Sequence, residues 1–321
     1  MAQSTLTNTR TFFQAQTHIV TDIYSNTDPM KPLRYPAVFN GSGSGWEGDM
    51  ERQFFQLLSI VGFGYLPVKQ EGQTASIDAA SEGTLQFFPY VSYALRYIVT
   101  KEMAREDARK IIPMLPRLLR YSSYQTQEVN FWNILNLGFL AAGSGGYDVN
   151  DGLALFSNVH TCAGAPGITW SNYLGPVALT VETINQAFNL MLSMPDDRGL
   201  QTSRTPVQLI YPIFLHQTAT EVMSSYYYPS TDENRVNVVA GTLQPCASEY
   251  LTAPTNGPYP WFVASGKGMP GTDAHTMFAT TKWDEQRAFY QEDTQSLNHE
   301  TEFRSAWGAA NGRGVVGSNG A

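Results

Sequence analysis

The sequence predicts an α+β protein, and three observations lead to that class. Two long runs rich in Phe, Tyr, Ile and Val flank a small polar segment, a pattern typical of a long β-hairpin. A helical segment follows, and its apolar residues recur at spacings near 3.6. Further along, amphipathic helices alternate with an apolar strand, which is typical of an α/β unit. The chain has 321 residues, and at roughly 100–200 residues per domain this is enough for about two domains.

Residues 1–49 are predicted to form an extended N-terminal arm. The segment is rich in Thr, Gln and Asn, contains several prolines, and runs into the Gly-Ser repeat at 41–45. That composition is typical of a flexible linker, and such an arm is either disordered or clamped on a partner. Trp46 lies at the hinge where the arm meets the rest of the chain, and we predict that it contributes to an assembly interface.

Residues 50–101 are predicted to form the long hairpin. Its two strands are Phe54–Val68 and Leu85–Val99, and its tip, residues 69–83, is small and polar. A hairpin of this length is not stable alone in water, so we expect it to lie on another surface. We predict that the tip contacts another subunit through its charged residues, which are Lys69, Glu71, Asp78 and Glu82.

Residues 102–174 are predicted to contain a long helix. Pro113 and Pro116 interrupt the first helical stretch, because an interior proline removes a hydrogen bond and clashes with the preceding turn. From Arg117 onward the apolar periodicity is cleaner. We expect one buried stripe, packed against returning strands near Phe278, Trp283 and Phe289. Its members are Leu118, Leu119, Val129, Trp132 and Leu135.

Residues 175–271 are predicted to form a separate α/β unit, and residues 272–321 to return as strands with a tail rich in Gly and Asn. An amphipathic helix runs from Thr180, its candidate cap, to Met194. A buried strand follows at Val207–Phe214, and a second helix at His216–Tyr226.

Composition and charge narrow the possible functions. Charged residues make up only 15% of the chain, against about 25% in a typical protein. Such a surface suits dense packing beside other subunits. The formal net charge of −8 argues against a dedicated nucleic-acid-binding domain, which is expected to be basic. The sequence contains no run of apolar residues long enough for a membrane-spanning helix, so no membrane association is predicted.

No catalytic, metal or cofactor site is predicted. His160 and Cys162 form only a lone His-x-Cys pair, and we interpret them as part of a short buried strand. Residues 266–271 match a GxGxxG pattern, but no helix is expected to open after them. Residues 142–146 resemble a nucleophile elbow, yet they follow a helix instead of a strand. Asp196 and Asp197 are interpreted as part of a turn.

In this order of parts the chain resembles the major capsid proteins of tailed bacteriophages, which have the Hong Kong 97-like fold. The first similar stretch runs from Tyr97 through Pro113-Met-Leu-Pro116 to Phe139, like that family's junction from hairpin to spine helix. The second begins at Asp151-Gly-Leu-Ala-Leu-Phe-Ser-Asn-Val-His160 and continues through Thr205-Pro-Val-Gln-Leu-Ile-Tyr-Pro212. The resemblance covers about residues 50–315.

The resemblance implies an architecture and a set of partners. It implies an N-arm, an extended loop (residues 50–101), a peripheral domain with a spine helix (102–174 and 272–321) and an axial domain (175–271). Hexamers and pentamers would tile an icosahedral shell around phage double-stranded DNA, which the protein would contact non-specifically. Implied partners are a separate scaffolding protein, a portal, and decoration or cement proteins. Lys69 is the only lysine between Phe54 and Val99, and we predict no covalent crosslink through it.

Two alternatives remain open from the sequence. An encapsulin-type nanocompartment would use the same fold to enclose an enzyme. A hydrolase or other enzyme on a two-domain α/β scaffold is the third reading, and the missing catalytic constellation counts against it. Particle size distinguishes them, because a shell protein forms large closed particles and an enzyme forms a small oligomer.

Overall fold

The computed structural model describes residues 19–24, 33–41, 53–107, 111–228, 235–252, 258–266, 277–283, 287–291 and 293–321. The chain divides into two compact units. The larger unit consists of Arg34–Pro89, Asn130–Thr280 and Trp307–Ala321, and the smaller of Met1–Leu33, Tyr90–Val129 and Thr281–Ala306. Most of the predicted arm, including Trp46, lies outside the described residues. The five-part division made from the sequence stays a prediction.

The described residues form the following strands and helices. The strands are β1 (Phe54–Val61), β2 (Ser81–Pro89), β3 (Val91–Thr100), β4 (His160–Cys162), β5 (Ala165–Trp170), β6 (Pro206–Pro212), β7 (Gln244–Ser248), β8 (Trp261–Ser265), β9 (Met277–Trp283), β10 (Arg287–Gln291), β11 (Ser296–Ala309) and β12 (Val315–Ser318). The α-helices with both ends described are α1 (Tyr35–Val38), α2 (Lys101–Glu106), α3 (Leu115–Asn136), α4 (Val181–Ser193) and α5 (His216–Ser224), and residues 19–24 are helical too.

In the larger unit, β1 and β2 form an antiparallel hairpin. A second sheet has the order β12-β8-β6-β7, in which β6 and β7 are parallel and the other neighbours antiparallel. Helix α4 begins with a capping box, because the Thr180 hydroxyl accepts from the Thr183 N–H and the Thr183 hydroxyl accepts from the Thr180 N–H. The predicted cap at Thr180 is therefore confirmed. Strand β12 belongs to the predicted tail, yet it pairs with β8 of the α/β sheet.

The smaller unit contains a sheet of order β10-β11-β3, with β9 also paired to β11. Strands β3 and β11 are antiparallel, from Thr100 opposite Ser296 to Val91 opposite Ser305. Val20, Val99 and Leu297 form a small buried cluster, and Leu115 of α3 packs on it. The second predicted hairpin strand, Leu85–Val99, is thus divided. Its first part pairs with β1, and its second part pairs with β11.

The predicted buried stripe of the spine helix α3 is partly wrong. Trp132 and Leu135 are fully buried as predicted, and Leu119 is buried too. Leu118 and Val129, however, are 51% and 48% exposed. A helix turns by about 100° per residue, so two positions eleven residues apart share one face. In this helix that face is exposed.

The contacts of the spine helix agree with the prediction in part, because Met277 and Ala279, which flank Phe278 in β9, share a buried cluster with Trp132 and Leu135. Trp132 lies edge-on to Phe39, with ring centroids 5.6 Å apart. Phe131 meets Tyr35 at 4.6 Å and Trp307 at 5.8 Å. Among the described residues, the C-terminal turns of the helix therefore pack on aromatic rings near α1 and the C-terminal segment. Phe278 instead contacts the hairpin, and the side chain of Trp283 lies outside the description.

Candidate assembly interface

The hairpin β1–β2 has two faces of different character because side chains alternate along each strand. Phe55 pairs with Phe88, and Phe54 and Phe87 point to the opposite face. The register shifts between Leu58 and Ile60. There Ser59 Oγ donates to the Thr84 carbonyl at 3.1 Å and accepts from the Thr84 N–H at 2.8 Å. The hairpin is thus a bulged ribbon with a defined inner and outer face.

The inner face packs on the chain's own body. Phe55 is buried, and its ring lies 5.2 Å from that of Phe278. Phe88 meets Phe278 edge-on at 4.8 Å and also lies over Gly308, where a Cβ would come within 2.5 Å of the Phe88 ring. Further out, Val61 is buried beside Gly164. The inner face is therefore a small aromatic core that fixes the hairpin.

The outer face is apolar and exposed. Ile60 is 69% and Phe87 is 55% exposed. Phe54, Leu58 and Leu85 lie on the same side and are also exposed. Contiguous exposed apolar surface on a soluble protein usually marks an interaction site. This face, defined by Phe54, Leu58, Ile60, Leu85 and Phe87, is called the outer face below.

The loop between β1 and β2, residues 62–80, also exposes large apolar side chains. Leu66, Val68 and Ile77 are 95–96% exposed, and Phe63 and Tyr65 are also exposed. Burying one such side chain is worth about 1.5–3 kcal/mol. A loop that leaves this much apolar surface in water is suited to a partner that covers it.

The predicted interface residues of the tip behave differently from one another. Lys69, Glu71 and Glu82 are exposed. Asp78 forms an ion pair with Arg198 of the same chain, in which Nη2 lies 2.6 Å from Oδ1 and 2.7 Å from Oδ2. The Gly64 N–H and the Arg198 guanidinium hold the pKa of Asp78 below its usual range. Arg198 is a partner that the sequence does not reveal, because the neighbouring Asp196 and Asp197 indicate only a turn.

The histidine–cysteine pair is structural. His160 is fully buried, with Nδ1 2.8 Å from Asp151 Oδ2 and Nε2 3.2 Å from Asn172 Oδ1. Burial raises the pKa of Asp151, but the hydrogen bond and charge of His160 outweigh it, so that pKa lies below its usual value. Burial raises the pKa of the Cys162 thiol. The two residues lie on β4 as the sequence predicts, and they form part of a packed core.

The other candidate motifs have equally structural surroundings. Asp196 Oδ1 accepts from the N–H groups of Arg198 and Leu200, which makes a turn, and Asp197 pairs with Arg313 at 2.9 Å. Most of the GxGxxG match, residues 267–271, lies outside the described residues. Within the described ranges, no group of three His, Cys, Asp or Glu side chains is placed to hold a metal ion.

A surface-accessible cavity of about 470 Å³ lies beside the hairpin in the larger unit. Its lining includes Leu57 and Gln86 of the hairpin, together with Thr202, Arg204 and Arg313. None of the helices in the described part of the chain combines the length and hydropathy needed to cross a bilayer.

No family model matches the chain, and no curated protein sequence matches it. Solved structures do. The capsid of cyanophage P-SCSP1u matches with a TM-score of 0.59 and 8% identity, over 92% of this chain and 90% of that one. The mature capsid of bacteriophage PhiM1 gives a TM-score of 0.59 and 7% identity, over 92% and 89%.

A third match is the capsid of bacteriophage JBD30, which is decorated with minor capsid protein trimers. Its TM-score is 0.52 at 11% identity, over 71% of this chain and 94% of that one. Identities this low carry information about the fold alone. The agreement extends along nearly the whole chain in the first two cases, and it confirms the fold class predicted from the sequence. The chain therefore has the capsid fold of these bacteriophages.

Proposed function

We propose that this chain is the major capsid protein of a bacteriophage head, and that its location is the virion capsid. The observation that carries the proposal is the apolar outer face of the hairpin together with the exposed loop 62–80. A monomer would leave this surface in water, whereas a shell subunit covers it with a neighbouring copy. The capsid fold supports the same function.

The assembly proposed here is a closed shell of hexamers and pentamers. The hairpin of each subunit lies on the next subunit, so the apolar outer face becomes buried and drives association. The resemblance to tailed-phage capsid proteins adds a scaffolding protein, a portal and decoration proteins as proposed partners. The decorated JBD30 capsid supports the last of these.

The experiment is to produce the chain and image the product by negative-stain electron microscopy. Closed particles are expected, with scaffolding protein from the same genome added if the chain alone stops at capsomers. Deletion of Gly72 to Glu82 should leave a folded subunit or capsomer that does not close into shells. A chain that stays a small oligomer under all these conditions, or a deletion variant that forms normal shells, would contradict the proposal.

We further propose that the packaged DNA is contacted weakly and without sequence preference. A net charge of −8 leaves few lysines and arginines for phosphate contacts, and each such contact is what produces affinity and salt dependence. Binding of the purified subunit to two duplexes of unrelated sequence should be weak and equal. Tight, sequence-specific binding at physiological salt would overturn this part of the proposal.

A further inference from the structure

The loop 62–80 is attached to the body of its own unit by a polar contact at Asp78. One carboxylate oxygen, Oδ2, accepts from the Gly64 N–H at 3.0 Å, and the other, Oδ1, accepts from the Ala79 N–H at 2.9 Å. Both oxygens also accept from Nη2 of Arg198. Asp78 therefore joins the two limbs of the loop to each other and to a residue 120 positions away in the sequence.

Arg198 is held by a tight turn. The Asp196 carboxylate accepts from the N–H groups of Arg198 and Leu200, both at 2.8 Å, and the Asp196 N–H donates to the Leu200 carbonyl at 2.7 Å. Gly199 adopts φ +84°, a conformation that an L-residue avoids. The guanidinium thus extends from a backbone with little freedom, and it offers Asp78 a fixed partner.

Apolar packing does not hold this loop. Leu66, Val68 and Ile77 are almost completely exposed, and the last buried hydrophobic side chain before them is Val61. Without the ion pair, the loop would keep its internal hydrogen bond from the Gly64 N–H to Asp78, but it would lose this contact with the turn that contains Arg198. The contact between Asp78 and Arg198 is therefore well placed to decide where the apolar side chains of the loop lie.

We propose that Arg198 is a positioning residue for shell assembly. By pairing with Asp78 it holds loop 62–80 in the orientation that presents its apolar side chains to a second copy of the chain. This inference rests on the proposed capsid function. Preorganisation of this kind strengthens association by lowering the entropy lost on binding, without adding a contact to the interface itself.

The first test measures the loop in the unassembled subunit by hydrogen exchange. Arg198→Gln should speed exchange of the loop amides, the Gly64 amide most directly, at low salt. Because the pair is partly exposed, high salt should raise exchange in the unchanged protein and reduce the difference between the two. Arg117→Gln, which removes an exposed arginine from the spine helix, is the charge-matched control and should leave the loop unchanged.

The second test measures the critical concentration for assembly. Arg198→Gln and Asp78→Asn should each raise it by about two- to fivefold at low salt, a range typical of an exposed ion pair. The double variant should add little to Asp78→Asn, since both changes remove one interaction. Arg198→Lys keeps the positive charge, so it should raise the critical concentration less than Arg198→Gln does. Glu106→Gln, which removes an exposed carboxylate from α2, is the charge-matched control and should leave the critical concentration unchanged.

The outcomes separate the two proposals. If the unchanged chain never forms shells, the capsid function fails, while the exchange experiment still decides whether Arg198 holds the loop. If Arg198→Gln exchanges its loop amides at the normal rate, the anchor does not exist. If exchange rises but the critical concentration does not, the loop is anchored without any role in assembly, and the inference is overturned.

Discussion

The imidazole of His299 lies directly opposite Tyr97 across β11 and β3, with ring centroids 5.3 Å apart and ring planes at 70°. The Tyr24 ring approaches the same imidazole edge-on, with ring centroids 5.5 Å apart. The guanidinium of Arg120 lies over the Tyr24 ring, with Cζ 4.9 Å from the ring centroid. His299 is fully buried, and neither ring nitrogen has a hydrogen-bond partner within the described residues. Burial lowers the pKa of His299 to about 4.

This arrangement predicts a loss of stability in mild acid. The unfolded chain takes up a proton near the ordinary histidine pKa of 6.5, whereas the folded chain resists it down to about 4. The free energy of unfolding is therefore fully retained above pH 6.5 and falls as the pH drops through this window, by about 3 kcal/mol at 1.36 kcal/mol per pKa unit. Hydrogen exchange of the β11 amides in the unassembled subunit, followed as a function of pH, measures this loss of stability around His299.

Two controls make the pH prediction specific. His299→Phe should remove most of the slope, and His216→Gln, at an exposed histidine, should keep it. Asp78 and Asp151 have pKa values below the ordinary 3.8, so their contributions to the free energy of unfolding are fully present above pH 3.8 and are lost only as the pH falls below it. A slope that persists unchanged in His299→Phe would show that another group is responsible.

The spine helix offers a matched pair of substitutions. Trp132→Ala removes a fully buried ring that packs on Phe39, and such changes cost about 3–5 kcal/mol. Leu118→Ala changes an exposed position of the same helix and should cost less than about 1 kcal/mol. Denaturant unfolding of the unassembled subunit measures both. Equal effects would mean that the exposed face of this helix is covered in the free subunit.

The turn after the spine helix depends on a glycine. A Cβ at Gly138 would lie 2.8 Å from the Ile134 carbonyl oxygen and 2.9 Å from Phe156 Cε2. The carbonyl belongs to the helix backbone and cannot move aside easily, so Gly138→Ala should cost about 1–3 kcal/mol. Gly143→Ala is the control, because a Cβ there would meet nothing within 4 Å. A neutral Gly138→Ala, measured by the same unfolding curve, would show that the ring of Phe156 and the helix end relax together.

The sequence predicted the fold class correctly, and the errors in individual elements have identifiable physical causes. The apolar run 85–99 contains two strands, because β2 ends at Pro89 and β3 begins at Val91 in a different sheet. Pro89 has no N–H to donate to a ladder, which is a recognisable signal for this break. Strand propensity alone could not show that the pairing partner changes from β1 to β11.

The buried stripe of the spine helix was misplaced for a different reason. The next three buried positions after Leu119 are Ser123, Gln127 and Glu128, and all three are polar. Ser123 Oγ donates to the Leu119 carbonyl at 3.0 Å, so this buried hydroxyl has a hydrogen-bond partner within its own helix. A reading that counts only apolar residues passes over such positions and selects Leu118 and Val129 instead. Arg198 was missed because a partner of Asp78 so distant in sequence leaves no local pattern.

The two faces of the hairpin allow the assembly proposal to be tested with one type of residue. Phe55 faces inward, is buried and packs on Phe278, so Phe55→Ala should destabilise the subunit by about 3–5 kcal/mol. Phe87 faces outward and its main ring contact is Phe54, at 5.2 Å. Phe87→Ser should therefore change the stability of the subunit by less than about 1 kcal/mol.

Assembly should respond in the opposite way to stability. Phe87→Ser removes apolar area from the outer face, and if a neighbouring copy covers that area, the critical concentration should rise by at least tenfold, the equivalent of about 1.4 kcal/mol. Light scattering follows assembly, and circular dichroism confirms that the variant is folded. If Phe87→Ser forms shells at the same concentration as the unchanged chain, the outer face lies on the surface of the particle or is not used, and the interface must be sought in the loop alone.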